Sequence, residues 1–304
     1  MDLRQEQFKH IGINEEKAQA IIRPSMTYWQ DAWRRLKKNP VAMLSILLIL
    51  VFTIMAFIGP LMTPYTYFGN DLTNGDQGPS LQHWFGTDGL GRDLWERVWA
   101  GAKVSLFIGV VTALINGVVG TLIGGTSGFF GGKLDMFVMR AIDILIALPY
   151  LIFTLLIMLY LGSGLVPIII ALAVTGWLGL ARLVRGQILS LKEQEFVLAA
   201  RTLGASSSRL ILKHLIPNTL GVIIVSLTFA IPTAIFSEAL LSFIGLGIQA
   251  PQTSWGQLSN LGIAAMQSYP YQLIIPSIFI SLTMLSLQLL GDGLRDALDP
   301  RLRR

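Results

Sequence analysis

The chain has 304 residues, 53% hydrophobic and only 13% charged, with a mean hydropathy of +0.60; soluble domains carry roughly 25% charged residues, so an ordinary cytosolic enzyme is excluded. The net charge of +5 accompanies long uncharged blocks, where a basic excess records membrane topology and contact with anionic lipid rather than nucleic-acid binding. There is no cysteine, which excludes disulfides, iron–sulfur clusters, thiolate zinc sites and cysteine nucleophiles.

About 40 mostly polar residues, including Asp2, Glu6, Glu15 and Glu16, precede the first apolar run. The expectation is an N-terminal arm over 1–40 with no cleavable signal peptide, and a first span, 41–62, that stays in the membrane. Val41 to Met62 carries no charge and is long enough to cross a hydrocarbon core of about 30 Å. A polar extracytoplasmic loop is predicted over 63–103, followed by a glycine-studded second span from Val104 to about Gly128. Within it, Gly120, Gly124, Gly128 and then Gly132 recur every four residues, a stripe that suits close helix packing or the border of a pore.

From Ile144 to Ala181 there are 38 residues without a charge, too many for one span. Gly162-Ser163-Gly164 and Pro167 divide the block into a hairpin of two helices. Leu215 to Ser237 and Tyr271 to Leu290 complete six spans, and Pro251, Trp255, Gly256 and Pro270 lie between the last two. The predicted fold is therefore all-α, a polytopic bundle of six transmembrane helices, with a five-span core over 104–291 and a tail over 292–304.

Lys and Arg set the orientation. With the N-terminus inside, 20 basic residues fall on the cytoplasmic side and only Arg92, Arg97 and Lys103 outside, so both termini are expected in the cytoplasm. No G-x-x-x-x-G-K-[ST] loop is present; Gly131-Gly132-Lys133-Leu134 lacks both the upstream glycine and the hydroxyl. There is no H-E-x-x-H helix, and His10, His83 and His214 are far apart, so neither a metal site nor a nucleophile–base pair is indicated.

Ionisable residues inside a bilayer are costly and few here. Asp143 is expected to pair with Arg140 one turn away. Glu238 lies 21 residues after Pro217, roughly 31 Å along a straight helix; it is either a structural hydrogen-bonding group or part of a substrate pathway. The shortage of buried acids and bases argues against an ion-gradient-driven secondary transporter, which remains the alternative from a different class.

The most informative segment is the basic loop 182–217. Glu195 to Leu203 has good helix formers, Gly204 is placed to end that helix, Ser206 to Ser208 to cap the next, and Pro217 to open the fifth span. Ala199, Ala200 and Gly204 would let a partner approach the backbone, and Arg201, Arg209 and Lys213 offer charge to an acidic rim.

These residues resemble the coupling motif, the EAA loop, of ABC-importer permeases. Ala199 and Ala200 match its alanines, Gly204 its glycine after three intervening residues, and Pro217 its closing proline. Leu198 stands at the glutamate position, with Glu195 just upstream, and His214 at the usual aliphatic position. Four further segments are similar to the C-type permease subunit of oligopeptide and dipeptide importers. They are Phe85-Gly86-Thr87-Asp88 with Gly91-Arg92-Asp93, the third-span set Arg140, Asp143, Ala147 and Pro149, Glu238 through Gly247 with Trp255-Gly256, and Leu290-Gly291-Asp292 through Pro300-Arg301. Gln288 stands near a position where asparagine is expected.

The resemblance implies a type I ABC-importer permease in a cytoplasmic (inner) membrane, forming half of a pore with a homologous second permease subunit. Two ATPase subunits and an extracytoplasmic peptide-binding protein would be its other partners, and lipid its surroundings. It implies no cofactor on this chain, with ATP and Mg on the ATPases. The coupling surface implied is Glu195, Leu198, Ala199, Ala200, Arg201, Gly204, Ala205, Arg209, His214 and Pro217. Related permeases also serve nickel complexes and antimicrobial peptides, which stay open as cargo.

Overall fold

A computed structural model describes residues 27–299; the arm before Thr27 and the tail after Asp299 lie outside them. The described residues are mostly helical, with one isolated bridge between Thr87 and Asp93. Helix α1 spans Tyr28–Lys38 and is opened by a capping box between Thr27 and Gln30. Asn39 ends α1 and caps α2, Pro40–Ile58, by accepting from the N–H groups of Val41 and Ala42 at 3.1 Å each.

The remaining helices are α3, Leu94–Phe130; α4, Gly132–Ala147; α5, Tyr150–Leu161; α6, Leu165–Leu191; α7, Glu195–Thr202; α8, Ser207–Phe243; α9, Trp255–Ala265; and α10, Tyr271–Leu298. Five of them, α2, α3, α6, α8 and α10, are long and apolar enough to cross a membrane, and the pair α4–α5, bent by 88°, is long and apolar enough only when taken together, so the described residues hold five to six candidate spans.

Three helix boundaries differ from those read in the sequence. α3 begins ten residues before the apolar run, because Asp93 caps it by accepting from the Glu96 N–H at 2.9 Å. Arg97 is then drawn inside the fold and paired with Asp88 at 3.0 Å, so charge that lowers local hydropathy does not interrupt the helix. The third span bends by 88° between α4 and α5; Pro149 holds Leu148 extended, at φ −75° and ψ 134°. The hairpin at Gly162–Gly164 is present.

Finally, the fourth and fifth spans run on through much of the stretch read as a loop. α6 continues to Leu191 and α8 starts at Ser207. Pro217 lies in the first turn of the regular α-helical part of this span, Ile216–Phe243, as expected, but helical chain continues before it. A π-helical stretch over Leu210–Leu215 precedes the proline, and this wider turn accommodates a residue with no N–H to donate.

The glycine stripe is used for packing. A Cβ on Gly124 would lie 2.2 Å from the carbonyl oxygen of Ala181, and one on Gly128 2.9 Å from that of Arg185, so α3 and α6 meet backbone to backbone. Gly132 leaves the stripe: it lies past the break at Gly131, and nothing stands within 4 Å of its Cβ position.

The expected Arg140–Asp143 pair is also replaced. Asp143 is paired with Arg182, and Asp135 takes both Arg185 nitrogens and the Ser127 hydroxyl. These two rungs fasten α4 to α6, because a helix with a single buried residue, Ile142, has little apolar packing to hold it.

Candidate functional site

The segment that resembles the coupling motif folds as a helical corner. Val197 is buried among Val184, Ile188, Leu210, Ile211 and Leu215, with Ala200 and Ala205 packed at the edge of that cluster. This one-sided anchoring leaves Glu195, Phe196, Leu198, Ala199 and Arg201 exposed, and Leu203 is 88% exposed.

The corner is closed by a backbone motif. Gly204 has φ +81°, its N–H donates to the Arg201 carbonyl at 3.0 Å, and the Ala205 N–H donates to the Ala200 carbonyl at 3.1 Å. This pairing satisfies the last carbonyls of α7 and requires a left-handed residue, for which glycine is suited. Ser206 then caps α8 by accepting from the Arg209 N–H at 3.4 Å. Nothing lies within 4 Å of the Gly204 Cβ position, so the corner presents bare backbone outward.

The two departures from the motif have structural places. Leu198 is exposed beside Arg201, where both line a hollow of about 240 Å³ with Phe129, Phe130, Lys192 and Glu193. Arg201 also stacks over Phe129, 6.0 Å from the ring centre, which fixes α7 against the end of α3. His214 is half-buried in the π-helical stretch, and its carbonyl accepts from Asn218 Nδ2 at 2.6 Å. That bond occupies a carbonyl close to where the proline ring interrupts the ladder. Glu195 sits in the first turn of α7, exposed and without an ion pair among the described residues. Arg209 and Pro217 are exposed on α8.

Glu238 is fully buried. Its carboxylate accepts from the Ser242 hydroxyl at 2.7 Å and the Ser105 hydroxyl at 3.2 Å. Those serines in turn accept from the backbone N–H groups of Ile248 and Trp255, at 3.3 and 3.2 Å. The acid thus joins α3, α8, the loop after α8 and the start of α9. Spacing along one helix indicated only its depth; the partners come from other segments.

The signature over 85–93 builds the loop that leads into α3. Asp88 accepts from Arg92 Nε at 2.8 Å and Arg97 Nη1 at 3.0 Å, and from the N–H groups of Leu90 and Arg92. His83 pairs with Asp93 at 2.8 Å and stacks on Tyr65, contacts that no local spacing signals. Asp71 accepts from Thr73 and Asn74, which holds its carboxyl below the usual carboxylate range. Tyr271 at the head of α10 donates to the Gln77 carbonyl at 2.9 Å, tying this loop to the last span.

Comparison with known proteins places the whole chain. Residues 120–304 match the sequence profile of the binding-protein-dependent transport system inner membrane component, and residues 27–79 that of the N-terminal TM domain of oligopeptide transport permease C. The chain is 51% identical over 296 residues to the dipeptide transport system permease protein DppC of Bacillus subtilis, covering 96% of this chain and 92% of that one. It is 46% identical to the oligopeptide transport system permease protein OppC of the same organism, covering 98% and 97%. Identity to the glutathione transport system permease protein GsiD of Escherichia coli O157:H7 is 42%, over 94% and 95%. Among solved structures, a chain of the MetNI methionine ABC transporter in inward facing conformations superposes with a TM-score of 0.56 at 19% identity, covering 68% of this chain and 98% of that one; this supports the fold alone. The five long helices and the bent pair are thus the permease architecture of a type I ABC importer, a transport subunit and not an enzyme. The chain belongs to the inner-membrane component family of binding-protein-dependent transport systems.

Proposed function

We propose that this chain is half of the peptide pathway of an ATP-driven importer, completed by a homologous second permease subunit. Two ATPase subunits carry ATP and Mg, and the face formed by Glu195 to Pro217 is this chain's docking surface for one of them. An extracytoplasmic peptide-binding protein delivers cargo from the opposite side. The observation that carries this reading is the corner at Gly204, where exposed backbone and Leu203 stand on a helix held from behind by the cluster around Val197. A rigid projection of this kind transmits a partner's movement to α6 and α8 together. The chain contributes coupling between nucleotide state and pore orientation rather than bond chemistry.

Peptide is the cargo favoured by the relatives' names, dipeptide and oligopeptide transport permeases at 51% and 46% identity; glutathione, named for a more distant relative, is itself a modified peptide. The 20-to-3 distribution of basic residues and the bond from the Tyr28 hydroxyl to the Leu298 carbonyl at 2.9 Å, which holds both ends of the described chain together, support termini on the cytoplasmic side.

The test is reconstitution. Co-purified with its partners in proteoliposomes, the chain should support peptide uptake that requires ATP and the binding protein. Alone, it should neither hydrolyse ATP nor move peptide down a proton or sodium gradient. Gradient-driven uptake by the single chain would overturn the proposal in favour of secondary transport.

A further inference from the structure

Helical threonines in apolar surroundings ordinarily return their hydroxyls to a carbonyl one turn back, and Thr53, Thr154, Thr228 and Thr233 do so here. Thr112 and Thr175 do not. Both hydroxyls, and Oδ1 of Asn116, are buried without a hydrogen-bond partner in the chain; the three residues are 1%, 9% and 7% exposed, in the order Thr112, Thr175, Asn116. Orphaned polar atoms inside a membrane domain are costly, and two of the three, on Thr112 and Asn116, belong to residues lining one pocket, with Thr175 next to a third lining residue, Gly176.

Thr112 and Asn116 line a pocket of about 300 Å³ with Tyr150, Leu172, Gly176 and Thr233, and Thr175 is one helical turn from Leu172 on the same face. Gly176 lets the Asn116 side chain approach the α6 backbone: a Cβ there would lie 2.1 Å from the Asn116 carboxamide nitrogen. Four helices, α3, α5, α6 and α8, contribute. Tyr150 lies 11 residues before the end of α5, Thr175 ten after the start of α6, and Thr233 ten before the end of α8. Each is therefore about 15 Å along its helix from the end that the charge distribution assigns to the extracytoplasmic side, and a core of about 30 Å that begins near those ends has its middle at this level. Tyr150 and Thr233 are exposed, so the pocket opens out of the chain. No lining residue is charged.

We propose that Thr112, Asn116, Tyr150, Thr175 and Thr233 form a neutral hydrogen-bonding station at mid-membrane for the main-chain amides of the passing cargo. This rests on the peptide reading above. Peptides differ in side-chain charge but share N–H and C=O groups. An uncharged carboxamide with hydroxyls can donate to and accept from those groups without selecting among side chains. A buried charge would instead hold one class of peptide and repel another. Glu238, sealed by its serines, is kept out of this surface.

The test uses the complete transporter in proteoliposomes, with alanine peptides and their backbone N-methylated counterparts as probes. Replacing Asn116→Leu, Thr112→Val and Thr175→Val together should lower alanine-peptide uptake about tenfold, with binding-protein affinity and subunit assembly unchanged. It should also shrink the preference for unmethylated over methylated peptide relative to wild type, a comparison in which the binding protein's own preference cancels. Uptake within twofold of wild type, with the preference intact, would overturn the station.

Because the chain has no cysteine, Thr233→Cys gives a second, mild probe should the triple variant fail to assemble. Peptide under turnover should slow its reaction with a thiol reagent several-fold, and an unaltered rate would also overturn the inference. A wild-type transporter that takes up none of these peptides is a different result: it removes the cargo reading on which the station rests.

Discussion

Ser105 and Glu238, 133 residues apart in sequence, are joined at 3.2 Å, and the same serine oxygen accepts the backbone N–H of Trp255. One fully buried carboxylate thereby holds α3, α8 and the start of α9 in register. Replacing Glu238→Leu should destabilise the solubilised complex by about 2 kcal/mol, because the Ser105 and Ser242 hydroxyls lose their acceptor. Glu238→Gln retains an acceptor and should lose less. Thermal unfolding of the three proteins should rank wild type above Gln above Leu, and equal midpoints would show that the carboxylate is not a structural centre.

The contact between Gly124 and Ala181 gives a sharper loss. A Cβ at Gly124 would come within 2.2 Å of a carbonyl oxygen, which leaves no flexible atom to move aside. Gly124→Val should therefore separate α3 from α6 and cost more than about 3 kcal/mol, on the order of the larger overpacking penalties. Gly186→Val, on the same α6 but with nothing within 4 Å of its Cβ position, is the control. Folded yield by size-exclusion chromatography should fall sharply for the first and little for the second.

Asp135 and Arg185 form the more enclosed of the two α4–α6 rungs, with side chains 14% and 30% exposed. Asp135→Asn and Arg185→Gln should each lower stability by about 1–2 kcal/mol, and the double variant should cost less than the sum of the two. Strict additivity in a double-mutant cycle would mean that the pair does not hold the bent span.

At the corner, Gly204→Trp should leave membrane insertion intact at a local cost of about 1–2 kcal/mol for a side chain at φ +81°, while its bulk covers the open face proposed for ATPase docking. ATP hydrolysis would continue with uptake reduced at least about tenfold, the loss expected when docking geometry is disturbed. Gly204→Asn keeps a residue that tolerates φ near +81° and should retain much of the coupling. Full-rate uptake by the Trp variant would remove the corner from the coupling path.

Much of the fold was legible because hydrophobic length and turn residues are local properties. Val41 to Met62, the turn at Gly162–Gly164 and the Gly204 stop all carry their signal within one or two helical turns. The errors fell where a distant partner changes the meaning of a local residue. Arg97 reads as the edge of a loop until Asp88 neutralises it inside the fold, and Asp143 reads as the partner of Arg140 until α6 brings up Arg182. Pro217 does open the regular α-helix, but the π-helical stretch that extends the span before it carries no local signal.

The sequence by itself determined that this is a membrane protein, how its basic residues divide among the loops, and where the corner at Gly204 lies, since each follows from composition or from neighbours along one helix. The partners of its few intramembrane polar groups come from the packing of distant segments. Glu238 and Asn116 both lie within apolar spans of the chain. Packing surrounds one with donors from other segments and leaves the other's carbonyl unpaired beside an open pocket. The difference is set by the neighbours that the fold brings to each side chain, because in a low-dielectric interior a polar group is defined by its partners.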